Sequence, residues 1–215
     1  MIKNLLQNYI KDYKITLTEN QYEQFQKYFE LLAEWNEKMN LTAITDESGV
    51  ALKHFADSLS LLNFVDIPQN SSLADVGTGA GFPGVVLKIA RPDIKLTLID
   101  SLNKRLVFLN EVCSQLGIEA ELIHSRAEDG ARDEKLRESF DFAVSRAVAR
   151  MNVLSEYCLP YVKVGGAFCA MKGAQANEEF KESLNAINTL GGKLENKYFF
   201  ELPENGGERA IAVVR

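Results

Sequence analysis

Asp75-Val76-Gly77-Thr78-Gly79-Ala80-Gly81-Phe82-Pro83-Gly84 is the stretch whose reading decides the fold. It follows a short apolar run, Leu73 to Val76, and leads into a helical pattern from Pro83 to Ala90. Three alternate glycines let the backbone turn sharply and leave room for a ligand against the main chain. Proline suits a first helical turn. Strand, glycine turn and helix in this order form the opening unit of a βαβ fold.

Downstream, short apolar runs alternate with helical periodicity. Strands are expected at Leu73 to Val76, Lys95 to Ile99, Ala120 to His124, Phe140 to Ser145 and Ala167 to Lys172. Helices are expected near Pro83 to Ala90, Lys104 to Leu116, Met151 to Tyr161 and Asn177 to Leu190. Lys193 to Leu202 and Arg209 to Arg215 read as two further strands, an antiparallel hairpin at the sheet edge, joined across Pro203 and Gly206-Gly207. Upstream, Thr18 and Gln21 stand in capping-box spacing, and Tyr22, Phe25, Phe29, Leu32, Trp35 and Met39 recur at steps of three and four. That pattern predicts an amphipathic helix to Asn40. A second helix is expected from Glu47 to Val65, ending before Pro68, and a third over Ile2 to Tyr13. The fold expected is α/β: a doubly wound, mostly parallel seven-stranded, Rossmann-like sheet in residues 71–215, with residues 1–70 an N-terminal helical extension.

The totals agree with this. A chain of 215 residues, 46% apolar, buries one sizeable core plus an appendage. Polar residues interrupt Met1 to Tyr13, so it lacks the apolar stretch of a signal peptide, and no segment reaches the ~20 apolar residues of a membrane span. Cys113, Cys158 and Cys169 are widely spaced and form no CxxC pair. A reducing cytoplasm is the expected location. The net charge of −6 is unusual for a chain that grips nucleic acid, and residues 1–70 hold six Lys and no Arg against ten acidic residues. Any RNA-binding face must therefore be local.

Two ligand classes compete for the glycine turn. Gly79-x-Gly81-x-x-Gly84 matches the dinucleotide fingerprint, with Asp100 about the expected ~20 residues on to hold a ribose hydroxyl. Counted from Gly77, however, the third glycine of that fingerprint falls on Phe82. An acid two residues before the first glycine, Asp75, instead describes the loop that cradles the methionine portion of S-adenosylmethionine. A cofactor without pyrophosphate makes no demand on helix amides, and its ammonium benefits from a carboxylate. A purely structural turn is the third possibility. Asp100 is also a candidate helix cap before Lys104. Ala127 and Glu128, after the third strand, are placed to meet an adenine edge, and Glu128 reads equally as a solvated acid.

The fourth strand ends in Ser145-Arg146-Ala147. Enzymes that methylate exocyclic amines carry Asn or Asp followed by Pro-Pro and an aromatic there, and enzymes acting on cytosine C5 need a Cys nucleophile. No cysteine directly follows that strand, and core packing is the expected role of all three. Guanine N7 needs neither device, because its in-plane lone pair displaces a sulfonium methyl with no proton to remove. Lys104, Arg105, Arg126, Arg146, Arg150 and Lys172 should project at the carboxyl rim of the sheet as a local electropositive mouth. His54 and Asp57, at i and i+3, share a helix face; they read as a surface hydrogen-bonded pair or, if the helix caps the pocket, as contacts to a target nucleotide.

Trp35-Asn36-Glu37-Lys38-Met39-Asn40-Leu41-Thr42, Lys53-His54-Phe55-Ala56-Asp57-Ser58-Leu59, the glycine stretch, Asp100-Ser101-Leu102-Asn103-Lys104-Arg105, Ser145-Arg146-Ala147 and Gly207-Glu208-Arg209 together resemble the RsmG (GidB) family of bacterial 16S rRNA guanine-N7 methyltransferases. The resemblance implies a class I methyltransferase domain, S-adenosylmethionine as donor, and a guanine of 16S rRNA, free or in an assembling small subunit, as acceptor. Position by position it implies cofactor contacts from Gly77, Phe82, Ala127 with Glu128, and Arg146, which the loop reading extends to Asp75, Gly79, Gly81 and Asp100. Arg146 would be the catalytic residue, bridging cofactor and target. His54, Lys104, Arg105, Arg126 and Lys172 are the candidates for RNA contact. No metal is expected, and the chain is expected to act as a monomer without a membrane partner.

Overall fold

The computed structural model describes residues 1–215. Seven strands form one sheet: β1 (Ser72–Val76), β2 (Lys95–Asp100), β3 (Ala120–His124), β4 (Phe140–Arg146), β5 (Val162–Lys172), β6 (Leu194–Glu201) and β7 (Glu208–Val214). Their order is β3-β2-β1-β4-β5-β7-β6, parallel throughout except for β7, which runs antiparallel to both its neighbours. The strand order reverses at β1, so the glycine turn leaves the carboxyl end of β1 at the topological switch point, where open α/β sheets bind ligands. The terminal hairpin forms as expected, but of its two strands only β6 lies at the sheet edge. β7 inserts between β5 and β6 because Ala210 to Val214 is an apolar run that is buried on both faces.

Helices α1 (Ile2–Tyr9), α2 (Glu19–Met39), α3 (Glu47–Val50), α4 (Asp57–Phe64), α5 (Gly84–Ala90), α6 (Asn103–Leu116), α7 (Ala127–Gly130), α8 (Met151–Cys158) and α9 (Ala176–Thr189) complete the chain. The capping box forms as read: Thr18 N–H donates to Gln21 Oε1 at 2.7 Å, and Gln21 N–H to Thr18 Oγ1 at 3.3 Å. Asn40, in the left-handed region at φ 49°, ends α2. Polar side chains of α2 then reach into the sheet domain. Gln21 Nε2 donates to the Ile89 carbonyl at 2.7 Å, Gln24 Nε2 to Leu116 O at 2.8 Å, and the Tyr28 hydroxyl to Ala80 O inside the glycine turn. The last carbonyls of α5 and α6 find their donors this way. Phe25, Tyr28, Leu32, Phe55 and Leu59 are buried in the same cluster as Val85, Leu98 and Leu109, so the N-terminal helices and one face of the sheet share a core. A second cluster, around Phe168, Phe180 and Met151, fills the other face.

Three expectations are corrected. The single helix over Glu47 to Val65 is interrupted by a π-helical turn, Ala51–Ala56, between α3 and α4. A wider turn re-aims the side chains that follow and recurs at functional sites, and here it carries Lys53 and His54. β5 starts at Val162, five residues earlier than the apolar run suggests, because Gly165-Gly166 hides the strand signal. A Cβ at Gly166 would lie 2.5 Å from the Asp141 carbonyl, so glycine is what lets β5 pass β4 there. Finally, α8 ends at Cys158 and gives way to a 3₁₀ turn, Leu159–Tyr161, because Pro160 removes a donor.

Candidate functional site

The glycine turn is built from its two flanking carboxylates. Gly77, Gly79 and Gly81 adopt φ of 71°, 62° and 96°. A Cβ at Gly81 would meet the Tyr28 hydroxyl and lie 2.8 Å from Leu109 and Val85 carbons, and one at Gly77 would lie 2.5 Å from Val148 Cγ2. Asp75 Oδ2 accepts from Thr78 Oγ1 at 2.7 Å and from Gly84 N–H at 2.8 Å, while its Oδ1 is buried with no partner. Burial pushes the Asp75 carboxyl up to about 6, against the opposing effect of those two hydrogen bonds. From the end of β2, Asp100 accepts from Gly79 N–H and Leu102 N–H, each at 2.9 Å, and pairs with Arg105 Nη1 at 3.3 Å. A carboxylate has about four acceptor sites; the two amides take one on each oxygen and Arg105 Nη1 spans both at 3.3 and 3.5 Å, so Asp100 braces the turn and a hydroxyl would take the place of the long Arg105 contact. The first amide of α5 is already engaged by Asp75, and a carboxylate buried at that point disfavours a diphosphate.

A cleft of about 830 Å³ opens beside the turn. Gly77 and Gly79, His54 and Asp57, Arg105, Arg146, Lys172 and Arg209 all line it. His54 and Asp57 are not bonded to each other. The His54 ring stacks on Phe82 at 4.5 Å between centroids and 16° between planes, and its Nε2 lies 2.9 Å from Thr42 Oγ1. Burial, then the charge of Arg146, holds His54 down to about 4, so the ring is neutral at pH 7. Asp57 takes Arg146 Nη1 on Oδ2 at 3.0 Å and Arg209 Nε on Oδ1 at 3.2 Å, with side-chain exposures of 6%, 13% and 21% respectively. Arg146 also donates to Lys53 O at 3.2 Å and lies 5.3 Å from the Phe82 ring centroid.

The other expected residues sort by place. Asp75, Gly81, Asp100, Ala127 and Glu128 are absent from the cleft wall. The first three act on the turn itself, and Ala127 O accepts from the Tyr161 hydroxyl at 2.8 Å at the start of α7. The rim cations are largely paired: Arg105 with Asp100, Arg126 with Glu128 at 3.7 Å, Arg150 with Glu182 at 2.5 Å, and Lys172 with Glu179 at 2.7 Å. Lys104 stands exposed on the first turn of α6. The cysteines are buried, as core packing requires; burial raises the Cys113 thiol to about 11 and the Cys169 thiol to about 12. No group of His, Cys, Asp and Glu is arranged to hold a metal ion, and no helix is long and apolar enough to cross a membrane. The importance of Arg209 was not legible from local pattern, because an arginine that opens an apolar strand reads as an ordinary strand end.

The family profile described as rRNA small subunit methyltransferase G (GidB) matches residues 21–206. The protein called ribosomal RNA small subunit methyltransferase G from Clostridium beijerinckii is 55% identical over 192 residues, 89% of this chain and 80% of its own length. Its namesakes from Exiguobacterium sibiricum and Staphylococcus aureus are each 50% identical, over 93% and 95% of this chain and 84% and 86% of their own. Among solved structures, a SAM-dependent methyltransferase from Aquifex aeolicus superposes with a TM-score of 0.60 at 16% identity, covering 81% of this chain and 96% of that one. TrmN from Thermus thermophilus gives 0.57 at 17%, over 74% and 47%. At such identities the structures speak to the fold alone.

Proposed function

The chain belongs to the GidB family of rRNA small subunit methyltransferases, and on that premise we propose that it methylates N7 of a guanine in 16S rRNA, using S-adenosylmethionine. The observation that carries the choice of N7 is the state of the bases on the cleft wall. Asp57 is held by two arginines, Glu179 by Lys172, and His54 is a weak base held near 4. None is available to take a proton from an amine. An acceptor with a lone pair already in the ring plane requires none, and catalysis reduces to alignment and exclusion of water.

The turn fits the donor. Its backbone approaches closely where a Cβ would collide, its first helical amide is spent on a carboxylate instead of a phosphate, and Asp75 places negative charge beneath it. When bound, S-adenosylmethionine supplies a methyl group on a positively charged sulfur, which leaves with the C–S electron pair as the N7 lone pair forms the new bond. Gly77, Gly79, Gly81 and Phe82 would seat the methionine portion, Asp75 acting through the loop; Asp100 would hold the ribose, and Ala127 with Glu128 the adenine side. Arg146, held by Asp57 against Phe82, would bridge donor and target, and His54 would face the target base. Residues 1–70 supply the acceptor wall through His54 and Asp57, and Lys104, Arg105 and Arg126 would meet RNA phosphates outside it. The enzyme acts as a monomer in the cytoplasm, on free rRNA or on an assembling subunit. Mass spectrometry of 16S rRNA from cells lacking the protein should show one 7-methylguanosine missing, restored by the purified protein with the donor. An unchanged 7-methylguanosine content would overturn the assignment.

A further inference from the structure

Lys172 ends β5 at the cleft, yet its side chain is only 9% exposed. Its ammonium donates to the Ala149 carbonyl at 2.7 Å and meets Glu179 Oε2 at 2.7 Å. The same Glu179 oxygen accepts from Met151 N–H at 3.0 Å, capping α8, whose own N-cap residue provides no side-chain cap. On the far side, Arg146 is tied to Asp57 and to Lys53 O. The segment between β4 and α8 is thus pinned at both ends. What spans the pins is Ala147, a non-glycine residue at φ 58°, and Val148, which is 39% exposed and packed against Gly77. Such a backbone conformation persists only where the surroundings enforce it.

We infer that Lys172 and Glu179 are positioning residues that hold Val148 over the glycine turn and so set the affinity for the methyl donor, and that Lys172 is not an RNA ligand. The inference rests on the proposed donor site. An ammonium with two short bonds in a nearly closed place cannot reach a phosphate without breaking both, whereas a strut needs to be in this position. Val148 supplies the apolar side of a wall whose other side is the bare backbone of Gly77. Loss of Lys172 frees Ala149 O, loss of Glu179 frees Met151 N–H, and either lets that wall drift.

Binding of S-adenosylhomocysteine by calorimetry, beside binding of a 16S rRNA fragment at fixed salt, tests this. Lys172→Met and Glu179→Ala should each weaken S-adenosylhomocysteine about tenfold, the double variant no further than the worse single, because both break one unit. Glu179→Gln, which keeps an acceptor for Met151 N–H, should recover part of the loss, and Val148→Ala should reproduce it with no buried partner removed. RNA affinity should stay within about twofold throughout. Unchanged S-adenosylhomocysteine binding in Val148→Ala, or RNA binding lost in Lys172→Met with donor binding intact, would overturn the strut; if Lys172→Met fails to fold, Val148→Ala decides. Failure of the unaltered protein to bind S-adenosylhomocysteine would instead remove the donor site, and the strut with it.

Discussion

Arg146 and Arg209, on strands separated by β5, meet at opposite oxygens of the Asp57 carboxylate, 3.0 and 3.2 Å away. One acid from the N-terminal helices therefore organises two cations of the sheet. Removing one partner of a buried ionic group leaves uncompensated charge. Asp57→Ala should cost about 3 kcal/mol in urea unfolding and lower methyl transfer more than tenfold. Methyl transfer at the unaltered rate would show that the arginines need no common anchor.

The glycines of the turn should separate into two classes. Gly81→Ala drives a Cβ into Tyr28, Leu109 and Val85 at a left-handed φ, so destabilisation of about 2 kcal/mol or more is expected. Gly77→Ala meets only Val148 at the cleft. It should fold with a smaller loss and fail in S-adenosylhomocysteine titration. Equal thermal shifts for the two would contradict this division.

Two buried groups give opposite slopes of stability with pH. Asp75 is raised from 3.8 to about 6, so the folded protein keeps a proton the unfolded chain has lost, and stability falls as pH rises through that window. His54 is lowered from 6.5 to about 4, so the unfolded chain takes up the proton first, and stability is lost as pH falls from 6.5 towards 4. Each contributes up to about 3 kcal/mol. Between pH 4 and 6 their contributions oppose. Urea midpoints should rise with pH across this window more steeply in Asp75→Asn than in the unaltered protein, and less steeply, or fall, in His54→Gln. Parallel profiles for the three proteins would be inconsistent with both shifts.

The rim cations offer an electrostatic test. Lys104 is exposed and Arg126 is 73% exposed, against a weak partner at 3.7 Å. Replacing either by Glu should weaken rRNA binding and reduce the slope of log affinity against log salt by about one unit, while S-adenosylhomocysteine affinity holds. A salt slope unchanged in both variants would move the RNA track elsewhere.

Much of this architecture was legible locally. Thr18 and Gln21 announced the start of α2, and alternating apolar runs placed β3 to the residue. Asp75 and its glycines located the turn at the end of β1. Each of these signals is carried by neighbours in the chain. What failed to show is equally specific: the π turn at Ala51–Ala56, and the early start of β5 through Gly165-Gly166. Both depend on what packs against the segment from afar.

By itself the amino-acid sequence determined the order of strands and helices, the glycine turn and the family, because periodicity, capping and turn chemistry act over a few residues. Only the tertiary structure decided what the charged residues do. Asp57 finds Arg146 and Arg209 across 89 and 152 positions, Asp100 braces the turn from the next strand, and Lys172 turns inward to Glu179 in place of outward to solvent. Ion pairs form between whatever charges the fold brings within a few ångströms, and desolvation then selects the partners that satisfy each other. That selection has no period along the chain, so no reading of neighbouring residues contains it.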